Sequence, residues 1–260
     1  MTLGREERAR LLDIARGAAR EAGAAILEIY AGAFDVRHKD DHTPVTLADE
    51  RAEEIIIAAL KRAAPEIPVI AEEQMAAAPP AGIAPPRFWL VDPLDGTREF
   101  VRRNGEFTVN IGLVEGDRCV LGVVHVPVAD TIYSGFGAGT AMRQRGEAAP
   151  VGIVARRPPA SGAIVAHSRS HGDNRRLDAY IARLPGAVRH VTGSAVKFCL
   201  VAAGEADYYP RFGTTMEWDT GAGQAVLEAA GGTVTTLDGA PLRYAKPGYL
   251  NPDFIAKGLG

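Results

Sequence analysis

The sequence predicts a mixed fold, with an α+β first half and an α/β second half. Two helical stretches with apolar stripes open the chain, and alternating apolar runs from 107 to 136 predict antiparallel strands with turns between them. After Pro158 and Pro159, short apolar strands alternate with helical runs. This change of pattern near residue 160 predicts two domains, 1–160 and 161–260.

The two opening helices are defined by their apolar spacing and by a start signal. The second is predicted from about 47 to 64 and ends before Pro65. Thr46 and Asp49 have the spacing of a capping box at its start. Residues 39–42 are expected to form a loop. The stretch 76–86, rich in Ala and Pro, is expected to form a mobile connection. The apolar stripe of the first helix consists of Leu11, Leu12, Ala15, Ala18, Ala22 and Ile26.

The most informative motif runs from Asp92 to Thr97 and follows a buried strand predicted at 88–91. Pro93 fixes its own φ, and Gly96 permits a backbone conformation that other residues resist. Asp92, the carbonyl of Leu94 and Asp95 could therefore converge on one point and share a hard divalent cation. The alternative is a plain polar turn after a core strand.

Acidic residues elsewhere in the chain bear on this choice, although each has an ordinary structural alternative. Glu72 and Glu73 also end a short apolar run, although adjacent glutamates are common on solvated surfaces. Asp219 lies at the start of an apolar helical run, where helix capping is an equally ordinary role. Asp49 has the same alternative, as the capping-box acid of the second helix.

These four segments, in this order, resemble the Mg-dependent, lithium-sensitive phosphatase family that includes inositol monophosphatases, fructose-bisphosphatases and bisphosphate nucleotidases. The resemblance runs from about residue 10 to the end of the chain. It implies a sandwich of stacked helix and sheet layers, and a water-activating pair formed by Asp49 and Thr97. Glu72 is expected to act in catalysis as well. The metal ligands implied by the resemblance are Glu72, Asp92, the Leu94 carbonyl, Asp95 and Asp219. Glu73 is a candidate of second rank.

The family chemistry implies two or three Mg²⁺ ions in the active site. Mg²⁺ prefers oxygen ligands, and a pair of ions can stabilise the entering and leaving oxygens of a displacement, with Asp92 as the expected bridge. Thr97, oriented by Asp49, would take the proton of a metal-activated water that attacks phosphorus, or would align that water. Backbone amides near Gly96 and Thr97 are expected to bind the phosphate oxygens.

Residues of the second half bear on the substrate. In inositol monophosphatases a glutamate that binds the inositol hydroxyls lies seven positions before the metal-binding aspartate, where this chain has Phe212. Polyol binding is therefore disfavoured. Lys197 and Arg211 supply cations instead, and a guanidinium group suits a second phosphate better than a sugar hydroxyl.

The resemblance therefore extends to the bisphosphate nucleotidases of this family, which implies hydrolysis of adenosine 3′,5′-bisphosphate to AMP and phosphate. Two alternatives stay open. One is a related phosphatase acting on inositol phosphate, histidinol phosphate or fructose bisphosphate, and the other is a non-catalytic nucleotide-binding protein. The candidate substrate contacts are Gly96, Thr97, Ser170, His171, Gly193, Ser194, Lys197, Arg211 and Asp219.

Composition is typical of a globular enzyme, since the 260 residues are 47% hydrophobic and 23% charged. The formal charge of −3 supplies no global attraction for an anionic substrate, so local cations must do so. The pairs Arg102-Arg103 and Arg156-Arg157 are too short and scattered to predict nucleic-acid binding.

The remaining expectations concern location and assembly. Cys119 and Cys199 are isolated, and the charged N-terminus does not look like a secretory leader, so the default location is cytoplasmic. No stretch approaches the roughly 20 apolar residues that span a bilayer, so membrane attachment is not expected. The expected partner is the small nucleotide substrate, and the protein is expected to be a monomer or a homodimer.

Overall fold

The computed structural model describes residues 2–38, 44–77, 84–169 and 172–260. Within these ranges the chain forms a seven-stranded sheet, a five-stranded sheet and a two-stranded sheet. Helices cover and separate the two larger sheets.

The first part of the chain builds the seven-stranded sheet and the two long helices that cover it. Its strands β3 to β9 lie in chain order and run antiparallel, except that β3 and β4 are parallel. Its elements are α1 (Arg5–Ala31), β1 (Val36–His38), β2 (Pro44–Thr46), α2 (Leu47–Ala63), β3 (Val69–Ala71), α3 (Glu72–Ala77), β4 (Arg87–Asp95), α4 (Thr97–Val101), β5 (Thr108–Glu115), β6 (Arg118–Val126), β7 (Thr131–Gly135), β8 (Met142–Arg145) and β9 (Val151–Gly152).

The second part builds the five-stranded sheet, whose strand order is β11-β10-β12-β14-β13. Strand β10 is parallel to both of its neighbours, and β14 is antiparallel to both of its own. The elements are β10 (Ile164–His167), α5 (Asn174–Ile181), β11 (Val188–Val191), α6 (Val196–Ala202), β12 (Tyr208–Arg211), α7 (Glu217–Ala229), β13 (Thr233–Thr236), a 3-10 turn (Pro247–Tyr249) and β14 (Phe254–Lys257).

Burial on both faces of the seven-stranded sheet gives the molecule its layers. Helices α1 and α2 pack on one face, where Trp89 and Val91 of β4 join their core. Helices α6 and α7 lie on the other face, between the two sheets, in a core that includes Val124, Val226 and Phe254. Alternating helix and sheet layers confirm the predicted layered sandwich.

Helix α7 approaches the seven-stranded sheet closely because small residues face each other there. A Cβ atom added to Gly122 of β6 would lie 2.2 Å from the carbonyl oxygen of Ala222 in α7. Glycine therefore allows the helix backbone to contact the strand directly. This close contact sets the distance between α7 and β6.

Several local predictions are confirmed. Helix α2 begins at Leu47, and Thr46 and Asp49 form its capping box. The antiparallel strands predicted between 107 and 136 are β5, β6 and β7. The predicted loop at 39–42 lies outside the described residues, as does most of the connection 76–86.

Two predictions need correction. Strand β4 does not end before Asp92 but continues to Asp95, with a register shift against β5 between these two residues. The apolar run that follows Gly193 and Ser194 predicts a helix beginning at these two residues, but the helix begins at Val196, and Ser194 has a positive φ of 48°. The two places are in contact with each other, because the N–H of Ala195 donates to the carboxylate of Asp95.

The domain junction near residue 160 stays a prediction. The core between the two sheets combines Val124 and Tyr133 from before this position with Val226 and Phe254 from after it. Of the helices in the described ranges, none combines the length and apolar character needed to cross a bilayer.

Candidate active site

Three acidic side chains from three different elements meet at one edge of the seven-stranded sheet. Glu72 begins α3 directly after β3, Asp92 lies in β4, and Asp219 lies in the first turn of α7. One ligand oxygen from each lies within 4.8 Å of the other two. Glu72 and Asp92 reach the same edge because β3 and β4 are parallel neighbours. We call these three residues the acidic cluster.

Glu72 is held in place through the backbone of its own helix. The carboxylate of Glu53, a buried residue of α2, accepts the N–H groups of Glu73 at 2.8 Å and Gln74 at 3.1 Å. The first N–H groups of a helix have no acceptor within it, so an external carboxylate stabilises the helix start. Glu53 therefore fixes the point at which α3 begins and Glu72 enters the cluster.

Asp219 enters the cluster as part of a helix cap. Its Oδ2 atom accepts the backbone N–H of Met216 at 2.8 Å. Burial raises the pKa of Asp219 well above its ordinary value, and the charges of Asp95 and Glu72 raise it further. A cation in the cluster would relieve this repulsion, since an opposite charge favours the ionised carboxylate. The donor set is entirely oxygen, which suits a hard divalent cation.

Asp95 lies beside the cluster and is held by donors from distant parts of the chain. Its Oδ2 atom accepts the backbone N–H of Ala195 at 2.6 Å and an amide hydrogen of Asn110 at 3.3 Å. The hydroxyl of Thr108 also faces Oδ2, at 3.5 Å. Among the described residues all of these donors reach Oδ2, so Oδ1 is the oxygen left for a cation. Burial raises the pKa of Asp95 to about 6, although the charge of Lys197 opposes this shift.

Thr97 and Asp49 form a hydrogen-bonded pair. Gly96, with a φ of 97°, turns the chain from β4 into α4, and Thr97 is the first residue of that helix. The Thr97 hydroxyl donates to Oδ1 of Asp49 at 3.0 Å and lies 3.4 Å from the carbonyl oxygen of Leu94. Burial raises the pKa of Asp49 to about 6, while hydrogen bonds from Thr46 oppose this shift.

Lys197 and Arg211 bring positive charge to the same cleft. The ammonium group of Lys197 is buried and donates to the carbonyl oxygens of Ser194 and Thr192. Its pKa is lowered to about 8 by burial, although the charge of Asp95 opposes this shift. Arg211 is 9% exposed and donates through Nη1 to the Ser168 hydroxyl at 3.3 Å.

One cleft brings most of the predicted residues together. The predicted residues that line it are Glu72, Asp92, Leu94, Asp95, Gly96, Thr97, Ser194, Lys197, Arg211 and Asp219. Residues that were not predicted also line it, namely Arg98, Glu99, Ser168, Tyr209, Thr214 and Thr215. Their local sequence gave little signal. Arg98 follows the metal motif directly and was the one that could have been found from its position.

The other predicted residues are placed differently or fall outside the description. Thr97 lines the cleft, and Asp49 contacts it only indirectly, by accepting the hydrogen of the Thr97 hydroxyl. The N–H of Gly193 donates to the carboxylate of Glu106 at 3.0 Å. Ser170 and His171 lie outside the described residues. The functional roles of all these residues stay predictions.

The sequence is similar to those of known proteins over nearly its whole length. Residues 7–258 match the model of the inositol monophosphatase family. The chain is 44% identical over 250 residues to a 3′(2′),5′-bisphosphate nucleotidase, CysQ, of Escherichia coli O157:H7. That alignment covers 94% of this chain and 98% of the relative.

Solved structures agree with this match. CysQ from Bacteroides thetaiotaomicron, described as a bacterial member of the inositol monophosphatase family, superposes with a TM-score of 0.80 at 36% identity. The alignment covers 96% of this chain and 97% of that one. An inositol monophosphatase from Anabaena sp. PCC 7120 superposes with a TM-score of 0.74 at 26% identity, over 98% of this chain and 92% of that one.

Proposed function

This chain belongs to the inositol monophosphatase family, and on that premise we propose that it is a 3′(2′),5′-bisphosphate nucleotidase. The reaction is hydrolysis of the 3′-phosphate of adenosine 3′,5′-bisphosphate, which gives AMP and phosphate. The relative of that name at 44% identity, aligned over 94% of this chain, supports the proposal.

The observation that carries the proposal is the distribution of charge in the cleft. The acidic cluster lines it together with Lys197 and Arg211. A substrate with two phosphates can place one at the cluster, through bound cations, and the other near the guanidinium group. A neutral polyol has no comparable use for Arg211, and the neighbouring Phe212 offers no carboxylate for its hydroxyls.

We infer that the metal is Mg²⁺, bound as two or three ions by the acidic cluster, Asp95 and the carbonyl of Leu94. These groups present oxygen atoms only, and Mg²⁺ is held in proteins by carboxylates, carbonyls, water and substrate phosphate. When bound, such ions would lower the pKa of a water molecule in the site and neutralise charge on the phosphate. In this assignment Glu72 and Asp92 would help to hold the ion that activates this water.

The chain's own residues orient the attacking water. Because Asp49 accepts the hydroxyl hydrogen of Thr97, the lone pairs of the Thr97 oxygen are left to accept a hydrogen bond from water. Thr46 holds the other oxygen of Asp49 through two hydrogen bonds at 2.8 Å, so the carboxylate cannot easily rotate away. In this assignment Thr97 aligns the water and Asp49 fixes Thr97. Direct attack by water requires no phosphoenzyme.

Binding of the substrate involves the opposite side of the cleft. Arg211 and Lys197 are assigned to the second phosphate, and Ser194 to the substrate beside them. The N–H groups of Gly96 and Thr97 are assigned to the phosphate that is cut, together with Asp219 on the leaving-group side. Ser170, His171 and Gly193 remain further candidates for contacts.

The first experiment measures Mg²⁺-dependent phosphate release from a panel of substrates at equal concentration. The panel contains adenosine 3′,5′-bisphosphate, inositol 1-phosphate, fructose 1,6-bisphosphate and histidinol phosphate. We expect a strong preference for the nucleotide. Preference for another ester would keep the metal chemistry and discard the assigned substrate, and release from none would favour the alternative of a non-catalytic nucleotide-binding protein.

A variant of Arg211 tests the assigned second-phosphate site. Arg211→Ala should raise the KM for adenosine 3′,5′-bisphosphate by about tenfold to a hundredfold, as expected for lost hydrogen bonds to a charged group. The KM for adenosine 3′-monophosphate, which lacks the second phosphate, should change little. Arg243→Ala is the matched control, because the side chain of this arginine is 42% exposed and pairs with Asp117. Equal effects of Arg211→Ala on both substrates would remove Arg211 from the second-phosphate site.

A further inference from the structure

Two buried nitrogen atoms next to the active-site cleft lack hydrogen-bond partners among the described residues. They are Nε2 of His167, at the end of β10, and Nε of Arg211, at the end of β12. Both side chains are 9% exposed. Both also line a second, small cleft together with Ser168, Asp173 and Phe212. A buried polar atom without a partner is destabilising, so the pair requires an explanation.

The hydrogen-bonding capacities of the two atoms are complementary. Nδ1 of His167 lies 3.0 Å from the carbonyl oxygen of Ser168, which can only accept, so the ring proton is on Nδ1. Nε2 of the neutral ring is then an acceptor. Burial lowers the pKa of His167, which favours this neutral form. Nε of Arg211 always carries its hydrogen and can only donate.

The size of the small cleft limits what could join them. The space in which the centre of a water molecule can move is about 10 Å³, which is enough for one water. Such a water would join the two residues if it accepted the N–H of Arg211 and donated to Nε2 of His167. The Ser168 hydroxyl borders both this cleft and the active-site cleft, so the water would sit directly behind the guanidinium group.

We propose that His167 is a positioning residue, which holds the guanidinium group of Arg211 through one bridging water so that the arginine presents its remaining N–H groups to the substrate. That Arg211 binds a phosphate of the substrate rests on the proposed function. The bridging water and the ring tautomer of His167 do not depend on it.

A count of the donors of Arg211 explains why this anchor matters. Arginine has five N–H groups. Nη1 donates one to the Ser168 hydroxyl at 3.3 Å, and Nη2 donates one to the carbonyl oxygen of Thr214 at 2.8 Å. The water takes the hydrogen of Nε. Each terminal nitrogen then keeps one N–H, the arrangement that binds two oxygens of one phosphate.

The kinetic test uses two variants of His167 and a double variant. His167→Phe removes both ring nitrogens and should raise the KM for adenosine 3′,5′-bisphosphate about fivefold to tenfold, the effect of one lost hydrogen bond, with kcat unchanged. The KM for adenosine 3′-monophosphate should stay the same. His167→Gln offers an acceptor oxygen to the water and should restore most of the affinity. In the Arg211→Ala background, His167→Phe should have no further effect.

Two outcomes would overturn the proposal. One is an equal effect of His167→Phe on both substrates, and the other is an effect that persists without Arg211. A structural readout keeps the test valid if the variant does not fold or if the protein does not cleave bisphosphates. Nitrogen-15 NMR of the wild-type protein should show His167 neutral with its proton on Nδ1, and a high-resolution crystal structure should show a water bonded to both nitrogens. A proton on Nε2, or a dry cleft, would contradict the proposal even where the proposed function holds.

Discussion

Thr97 donates its hydroxyl hydrogen to Oδ1 of Asp49 over 3.0 Å, and this bond joins the first turn of α4 to the first turn of α2. The same carboxylate closes the capping box of α2 through its other oxygen. Asp49 therefore has a structural role and a role toward the cleft at once. The two roles explain why a helix cap and a candidate catalytic residue coincide in sequence.

The first prediction concerns the hydroxyl of Thr97. Thr97→Val keeps the shape of the side chain and removes the oxygen, so kcat should fall by about a hundredfold or more, as expected when a group that aligns a proton transfer is lost. Thr97→Ser keeps the hydroxyl and should retain most of the activity. The measurement is steady-state phosphate release at saturating Mg²⁺. Turnover of Thr97→Val at the wild-type rate would remove Thr97 from the mechanism.

The second prediction concerns repulsion within the acidic cluster. Asp92→Asn removes one negative charge, so the metal-free variant should unfold at a higher temperature than the metal-free wild type. Addition of Mg²⁺ should raise the Tm of the wild type, by an amount equivalent to about 2.7 kcal/mol when the ion is at a hundred times its Kd. The variant should gain much less.

The control for this experiment is Asp13→Asn, which removes an exposed carboxylate from α1. This variant should respond to Mg²⁺ as the wild type does. A Tm of Asp92→Asn that rises with Mg²⁺ as much as that of the wild type would argue against Asp92 as a ligand.

The parts of this molecule that could be predicted from sequence are those in which the signal is local. The capping box of Thr46 and Asp49 spans four consecutive residues, and the structure has it as predicted. The buried strand β4 was found from a run of apolar residues. Likewise, the position of Asp219 in the first turn of a helix follows from the apolar run after it.

The parts that could not be predicted depend on contacts between distant segments. The N–H of Ala195 reaches Asp95 across 100 positions of the chain, and Ser194, the residue before Ala195, has a positive φ. Glu53 fixes the start of α3 from a different helix. Neither contact has a local pattern, because each depends on how the layers pack. The short strands β8 and β13 were also not predicted, since they contain few buried apolar residues.

The third prediction concerns the contact between α7 and the seven-stranded sheet. Gly122→Ala would place a methyl group 2.2 Å from the carbonyl oxygen of Ala222, so the helix must move away from β6. Overpacking of this kind destabilises a protein by about 1–3 kcal/mol. Gly152→Ala is the matched control, because it adds the same methyl group to β9 with no atom within 4 Å. Urea unfolding measures both variants, and equal stabilities would contradict the close contact.

The last prediction concerns His125, a residue of β6 whose side chain packs against α1. The residue is 3% exposed, its Nδ1 lies 2.9 Å from the carbonyl oxygen of Ala19, and Gly23 leaves room for its ring. Burial lowers the pKa of His125, and the charge of Arg20 lowers it further, although the Ala19 carbonyl and Asp130 act in the opposite direction.

The sign of the effect follows from proton binding in the two states. In the unfolded chain the histidine has its ordinary pKa of about 6.5, so below that pH the unfolded state binds a proton that the folded state does not. The free energy of unfolding should therefore fall as the pH drops below about 6.5, by up to about 1.4 kcal/mol per pH unit for this one group. The loss should level off once the pH passes the lower pKa of the folded state.

A comparison of variants isolates this contribution from that of His167, whose pKa burial also lowers. His125→Phe loses the hydrogen bond to Ala19, so it should be less stable at pH 7, but its stability should depend less steeply on pH between 6.5 and 5. His190→Gln, which changes an exposed histidine, should keep the wild-type dependence. Urea unfolding at several pH values provides the measurement. If His125→Phe lost stability with acid as steeply as the wild type, the contact between α1 and β6 would not depend on a neutral histidine.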